Sequence, residues 1–301
     1  MPRQPFPFPD FAEFLSRHLE GKIQKLTVNT ALSCPNRDGT KGRGGCIYCN
    51  NSSFSPGITT QPLSVGEQLA KGREFFARKY PEMRYLAYFQ SYTSTNAPIE
   101  RLLPMYREAL GAPGVAGIVI GTRPDCMPPE LLDELCRIKG DGKFVMVEYG
   151  AESACDATLE VINRCHTWAD TADAVRRTAA AGIPVGLHLI NGLPGEDRAR
   201  ILATVDAVNA LPVDVVKFHQ LQIVRGTRLH HLTERGEIAV KSFTVEEYVD
   251  LCCDIIDRLR HDIAIDRFVS QSPDNLLVSP RWGLKNYQFT NLLASRYASR
   301  H

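Results

Sequence analysis

The sequence predicts an α/β fold, a parallel sheet curled into a partial (β/α)6 barrel. Six short apolar runs alternate with helical patterns through the middle of the chain. Polar, chemistry-bearing motifs follow directly on those runs, at the strand ends where barrels of this kind gather their sites. The 301 residues suit a barrel of this class but supply too few repeats for eight strands. A doubly wound open sheet is the structural alternative.

The strand-like runs are 23–30, 85–90, 117–122, 144–149, 185–190 and 215–221. Helical patterns fall at 65–79, 99–110, 129–139, 167–181 and 198–210. Crossovers between parallel neighbours should be right-handed. Before the first run, residues 11–19 read as a helix after a Pro-rich lead, expected on the outside of the barrel. After the sixth, Thr244-Val-Glu-Glu247 is a capping box opening an apolar stripe through Val245, Tyr248, Cys252, Ile255 and Leu259. A strand-like run at 263–269 and a helix at 285–297 follow. The expected organisation is an N-terminal segment 1–21, a barrel 22–224 and a C-terminal extension 225–301 packing on the barrel.

Hydrophobic residues make up 44% and charged residues 23%, the balance of a soluble globular protein. A net charge of +1 gives no global electrostatic case for nucleic acid or membrane, though a local basic patch is allowed. The start lacks the unbroken apolar core of a signal peptide, and no run approaches the ~18 apolar residues of a membrane span. The expected setting is a reducing cytoplasm, where the nine cysteines stay available for metal.

Three of those cysteines set the chemistry: Cys34, Cys46 and Cys49, in Cys34-Pro-Asn-Arg-Asp-Gly-Thr-Lys-Gly-Arg-Gly-Gly-Cys46-Ile-Tyr-Cys49. Three thiolates without a nearby fourth ligand suit a four-iron cluster with one iron left open. S-adenosylmethionine can fill that place through its amino and carboxylate groups. One electron passed to the sulfonium then breaks a carbon–sulfur bond and releases a 5′-deoxyadenosyl radical, which takes a hydrogen atom from an inert C–H bond. Zinc is an alternative, but it normally closes with four ligands, and the nearest histidine, His18, is far outside the loop. A redox Cys-x-x-Cys would leave Cys34 unexplained. Tyr48 can shield a cluster and lie near an adenine. Cys126, Cys136, Cys155 and Cys165 could in principle hold a second cluster, but their scattered spacing favours structural thiols, as does the helical pattern around Cys252 and Cys253.

The loop, with Tyr48-Cys49 and Ser53-Phe54, resembles the cysteine motif of radical S-adenosylmethionine enzymes of the YhcC type, relatives of the radical domain of the Elongator catalytic subunit. Gly121-Thr-Arg-Pro-Asp125, Glu148-Tyr-Gly-Ala-Glu-Ser153, Gly192-Leu-Pro-Gly-Glu196 and Ser279-Pro-Arg-Trp282 with Lys285 agree in order, so the resemblance spans nearly the whole chain. It implies a radical SAM partial barrel, a [4Fe-4S] cluster on Cys34, Cys46 and Cys49, S-adenosylmethionine, and an external one-electron donor such as flavodoxin or ferredoxin. The substrate is not implied; the Elongator relationship suggests RNA, and a small molecule or peptide remains open. A non-catalytic zinc or iron–sulfur electron-transfer module is the alternative function.

Other candidates lie at the remaining strand ends. Ser91, Tyr92 and Thr93 stand where many relatives carry glycines that bind the methionine amino group. The ordinary reading of that segment is a polar turn. Arg123 could neutralise the cofactor carboxylate or pair with Asp125 or Glu148. Glu152 could hold ribose hydroxyls, and Arg164 matches a cofactor-side arginine by position; a solvated helix-end residue is its plain reading. His188, Asn191, Lys217 and His219 are substrate candidates, with Lys217 and His219 on one strand face. Core packing is the rival reading for such histidines. Arg281, Trp282 and Lys285 could roof the opening, but an anchoring role for the tryptophan is favoured.

Overall fold

Each of the six apolar runs becomes a strand. The computed structural model describes residues 8–50, 63–77 and 80–301. Ser53, Phe54, Lys79 and the start of the Pro-rich lead lie outside the described residues. After α1 (Phe11–Ser16), the chain alternates through β1 (Ile23–Val28), α2 (Val65–Ala77), β2 (Arg84–Phe89), α3 (Ile99–Gly111), β3 (Val115–Thr122), α4 (Pro129–Gly140) and β4 (Phe144–Glu152). It continues through α5 (Asp156–Val161), α6 (Trp168–Ala180), β5 (Val185–Asn191), α7 (Arg198–Asn209) and β6 (Val215–Gln220). The remainder holds β7 (Ile223–Val224), α8 (Arg228–Glu234), α9 (Val245–Arg258), β8 (Ala264–Arg267), β9 (Leu277–Ser279) and α10 (Asn286–Arg300). Among the described residues no helix is long and apolar enough to cross a membrane.

The main sheet has seven strands in the order β1-β2-β3-β4-β5-β6-β8, all neighbours parallel. It forms the curled half-barrel of the expected class, with one strand more than the six expected. That strand, β8, comes from the segment read as an extension and hydrogen-bonds β6. β7 and β9 make a separate antiparallel ribbon.

Strand alternation sorts the side chains into two layers. On β2, Tyr85, Ala87 and Phe89 face the helices and join the large outer core, while Leu86 and Tyr88 face the barrel interior. Helix α1 was expected outside, but Phe14 and Leu15 pack with Leu86, Tyr88, Val119 and Met146 on the inner face. It plugs the bottom of the barrel, because the interior residues at that end are apolar and need a cover. The C-terminal helices cover the outside. Thr244 forms the expected capping box with Glu247, worth about 1 kcal/mol. Trp282 donates Nε1–H to the Phe243 carbonyl at 3.0 Å and packs against Tyr248 and Phe289, the anchoring role.

Above the apolar plug lies a buried ionic layer. Glu148 on β4 accepts hydrogen bonds from Lys25 Nζ and Tyr88 Oη at 2.7 Å and from Lys217 Nζ at 3.2 Å. Asp266 on β8 pairs with Lys25 at 2.9 Å and Lys217 at 3.2 Å. Burial would push the Glu148 carboxyl up, but Lys217 and Lys25 hold it well below the usual carboxylate range. Lys25 belongs to the first edge strand and Asp266 to the last, so this pair joins the two open edges of the sheet across the interior.

Breaking such a layer leaves a buried charge without compensation. Lys217→Met is expected to lower stability by about 3–5 kcal/mol, read from the urea midpoint at unchanged slope. A change under about 1 kcal/mol would show that the layer does not hold the barrel together.

Candidate functional site

The cysteine loop follows β1 and is shaped by its own polar residues. The Cys34 carbonyl accepts from the amides of Arg37 at 2.7 Å and Asp38 at 3.0 Å, which makes the first turn. The Asn36 carbonyl accepts from Gly45 N at 2.8 Å and draws the two ends of the glycine-rich stretch together. A Cβ on Gly42 would lie 2.3 Å from Asn36 Oδ1, so only glycine lets the loop close on that side chain. Cys49 N bonds the Cys46 carbonyl at 3.0 Å, so the Cys-x-x-Cys segment is itself a turn. Ile47 between them is pinned from both sides: its amide donates to Ile162 at 3.0 Å, and its carbonyl accepts from Leu229 at 2.7 Å.

The three cysteines line one cavity at the C-terminal end of the sheet. Cys46 is buried, and Cys34 and Cys49 are half-buried. Two N–H groups approach the Cys46 sulfur: Arg164 Nη1 at 3.4 Å and Asn36 Nδ2 at 3.6 Å. Burial, with Cys46 adding, pushes the Cys49 thiol up, and the neighbouring Arg37 opposes this. Such a thiol loses its proton readily only to a metal that replaces it. Zinc bound by thiolates at about 2.3 Å requires sulfurs roughly 3.8 Å apart. Among the described residues, the three cysteine sulfurs do not all gather within 4.8 Å of one another. The three sulfurs therefore stand too far apart for a single zinc ion to take them all as placed.

Most of the expected site residues share the same wall. Tyr48, Tyr92, Thr93, Arg123, Glu152, Arg164, His188 and His219 all line the cavity. Ser91, Asn191 and Lys217 do not. Ser91 is buried beneath the turn after β2. Asn191 points away from the cavity because strand parity puts it opposite His188 and Ile190, and it bonds Tyr248 Oη of α9 at 3.1 Å. Lys217 shares a face with His219 but lies one layer deeper, in the ion pairs with Glu148 and Asp266.

The arginines resolve into distinct roles. Arg123 is almost fully buried, and Asp125 takes its Nε and Nη2 at 2.9 and 3.0 Å. Its Nη1 holds the Arg164 carbonyl at 2.8 Å. Of its two readings, the side chain makes the ion pair with Asp125. Arg164 reaches Cys46 and the Gly150 carbonyl, pairs with Glu152 at 3.2 Å, and donates Nε–H to His166 Nε2 at 2.9 Å. A Cβ on Gly150 would lie 2.6 Å from Arg164 Nη2, so the glycine makes room for this pair. Thr93 Oγ1 is buried without a hydrogen-bond partner among the described residues.

Tyr92, Glu152, Asn163 and Cys165 all have positive φ, between 54° and 68°. Non-glycine residues adopt this conformation at a cost of about 1–3 kcal/mol each, typically where a functional geometry demands it. Sequence reading missed Asn36, Arg37, His166 and Arg267. The first two sit inside the cysteine motif, which was the available signal; His166 and Arg267 had none beyond their places after β4 and on β8. Of the other cysteines, Cys252 and Cys253 sit in the core, and burial and Asp125 push Cys126 to about 12.

Comparison with known proteins gives the family and the fold. Residues 34–208 match the sequence profile of the radical SAM superfamily, and residues 213–299 that of the radical SAM C-terminal domain. The chain is 38% identical to protein YhcC of Escherichia coli over 272 residues, 90% of this chain and 86% of that protein. It is 27% identical over 137 residues to a tRNA uridine(34) acetyltransferase of Methanocaldococcus jannaschii, covering 44% of this chain but 24% of that protein. In fold it is similar to the Elp3 structure of Methanocaldococcus infernus, with a TM-score of 0.70 and 16% identity over 92% of this chain and 63% of that one.

The arginines leave an acid-sensitive mark. Burial, with Arg164 and Arg123, lowers the His166 pKa to about 3. Unfolding returns it to its ordinary value near 6.5, so between these limits the unfolded chain binds the extra proton and stability falls as pH falls. His166 should contribute up to about 1.4 kcal/mol per pH unit to that slope. Urea unfolding of wild type and His166→Asn near pH 7, 6 and 5 checks this; equal slopes would refute it.

Proposed function

This chain belongs to the radical SAM superfamily, and on that premise we propose that Cys34, Cys46 and Cys49 hold a [4Fe-4S] cluster that binds S-adenosylmethionine at its remaining iron. Membership makes it an enzyme of S-adenosylmethionine-cleaving radical chemistry. The observation carrying the proposal is the convergence of three cysteines on one cavity, with hydrogen-bond donors aimed at the buried Cys46. When bound, the cluster and S-adenosylmethionine supply a 5′-deoxyadenosyl radical able to take hydrogen from an inert C–H bond.

The chain's own residues position and shield. Asn36 and Arg164 stabilise the Cys46 thiolate by N–H contacts and by charge. Arg37 donates to the Cys49 carbonyl at 2.9 Å and keeps the second turn in place. Arg123 orients Arg164 through the backbone that follows it. Thr93 Oγ1 offers an unused hydroxyl to the cofactor's amino group, and Glu152 offers carboxylate oxygens to its ribose. Tyr48 lines the cavity beside the last two cysteines. His188 and His219 face the part of the cavity left for substrate.

An external one-electron donor such as flavodoxin or ferredoxin completes the reading. RNA is the proposed substrate class, supported by the stretch shared with the tRNA-modifying relative. Modified nucleosides compared between cells with and without the protein test that part.

Anaerobic reconstitution with iron and sulfide should load about four irons per chain. With a reductant and S-adenosylmethionine, 5′-deoxyadenosine should form. Replacing any of Cys34, Cys46 or Cys49 by Ala should abolish cleavage and strip most of the iron. One zinc per chain with no acid-labile sulfide would instead establish the zinc module.

A further inference from the structure

We propose that Arg267 is a specificity-determining seat for an oxyanion of the substrate, a carboxylate or a phosphate, in the cavity that the three cysteines share. This rests on the radical SAM reading of that cavity and adds what the substrate must carry.

Charge accounting leaves two cavity arginines without a carboxylate ion pair: Arg37, whose Nη2 is engaged by the Cys49 carbonyl at 2.9 Å, and Arg267. In the ionic layer below the cavity, two lysines face two carboxylates, Glu148 and Asp266. Arg123 is matched by Asp125, and Arg164 by Glu152. Arg267 lines the same cavity; its charge reaches Asp266 at longer range, but it makes no carboxylate ion pair at contact distance among the described residues. Its Nε is buried with no hydrogen bond, and its Nη2 has only a long contact, 3.5 Å, with His219 Nδ1. A guanidinium at the cavity wall whose terminal nitrogens are so weakly engaged can take a carboxylate or phosphate through two N–H groups.

The backbone is built to put it there. By simple alternation Asp266 would face the interior and Arg267 the helices. A bulge interrupts the β6–β8 register, so that Val216 pairs with Ile265 but Lys217 with Arg267. The extra residue brings both Asp266 and Arg267 inward, as bulges beside functional sites do. The next residues are then tied down: Ser270 N donates to Gln220 Oε1 at 2.7 Å, Gln222 Nε2 to the Ser270 carbonyl at 3.2 Å, and Ser272 Oγ to Gln222 Oε1 at 2.7 Å. His219 is kept neutral by burial, then by Arg267 and His188, so it adds no competing charge and can share in hydrogen bonding to the anion. The seat lies on the β6–β8 side, away from the turn after β2 where Thr93 stands.

The test titrates inorganic phosphate and acetate calorimetrically into the cluster-loaded protein at low chloride, with and without saturating S-adenosylmethionine. One of the two anions is expected to bind saturably at one site in the presence of S-adenosylmethionine. Tighter phosphate identifies a phosphorylated substrate group, tighter acetate a carboxylate. Arg267→Gln should weaken binding at least about tenfold, and Arg267→Lys, which keeps charge but loses the fork, by less. Arg107→Gln, the same charge change at an exposed site on α3, should leave it unchanged. Coincident thermal melts show that the variants fold. No saturable binding of either anion to the wild type, or equal binding to Arg267→Gln, overturns the proposal. So does displacement of the anion by S-adenosylmethionine, which would give the seat to the cofactor's own carboxylate. Iron content and 5′-deoxyadenosine are read on the same wild-type sample. Their absence sinks the cluster reading while leaving the anion result intact.

Discussion

The half-barrel depends on Lys25, whose ammonium is shared between Glu148 and Asp266. A seven-stranded parallel sheet that does not close has two free edges, and here the free edges are β1 and β8. Backbone hydrogen bonds cannot join them. The ammonium of the first strand and the carboxylate of the last do so instead, with Lys217, Tyr88 and His188 filling the remaining bonds to Glu148. A buried ion pair of this kind contributes modestly against a well-packed apolar alternative, yet its loss leaves charges stranded. It therefore acts as a constraint on shape. α1 seals it from below, with Phe11 stacked under the Lys25 ammonium, 3.8 Å from ring centroid to Nζ.

A neutral, sealed floor changes what the upper cavity can do. Because the charges of the layer cancel, the groups above it act on a ligand with little interference from below. The upper wall departs from regular geometry where it needs a polar group turned inward. Register breaks occur in β4 between Gly150 and Glu152 and opposite β8 at Lys217. Glu152 leaves its break in a left-handed conformation, and Arg267 leaves the other facing its own cross-strand partner's side. Regular strands supply the frame, and the two irregular ends supply the polar groups.

This division explains what could be read from the sequence. The six strands were legible because central parallel strands, covered on both faces, are continuous apolar runs. The cysteine loop was legible because thiols at that spacing have few uses. Most of the candidate wall followed from the rule that chemistry gathers at strand ends. Asn191 failed through parity: one residue past Ile190 it faces Tyr248 rather than the cavity. Lys217 had the right face but the wrong depth, which alternation does not encode. β8 was legible as the strand-like run 263–269, but its place in the main sheet was not, because its pairing with β6 passes through a bulge and its Asp266 is held by lysines from distant strands. The inner position of α1 was hidden because its apolar face would suit either surface of the sheet. What decided it was the uncovered interior apolar set, visible only once the sheet curls.

The protonation states in the cavity fit the kind of chemistry the family carries out. An acid–base enzyme keeps a group poised near neutral pH to move protons. Here burial and neighbouring cations hold His188, His219 and His166 below their ordinary range, while Glu148 is held ionised by two lysines. The Tyr88 phenol is pushed well up by burial and by the Glu148 charge. Around neutrality His166, His219, Glu148 and the Tyr88 phenol are held far from exchanging a proton, and His188 is shifted in the same direction as the other histidines. A site that generates a radical has no need of such exchange, and a labile proton or an entering water would be a competing fate for its intermediates. Fixed dipoles, neutral imidazoles and a closed floor serve to hold and to exclude, leaving bond cleavage to the cofactor.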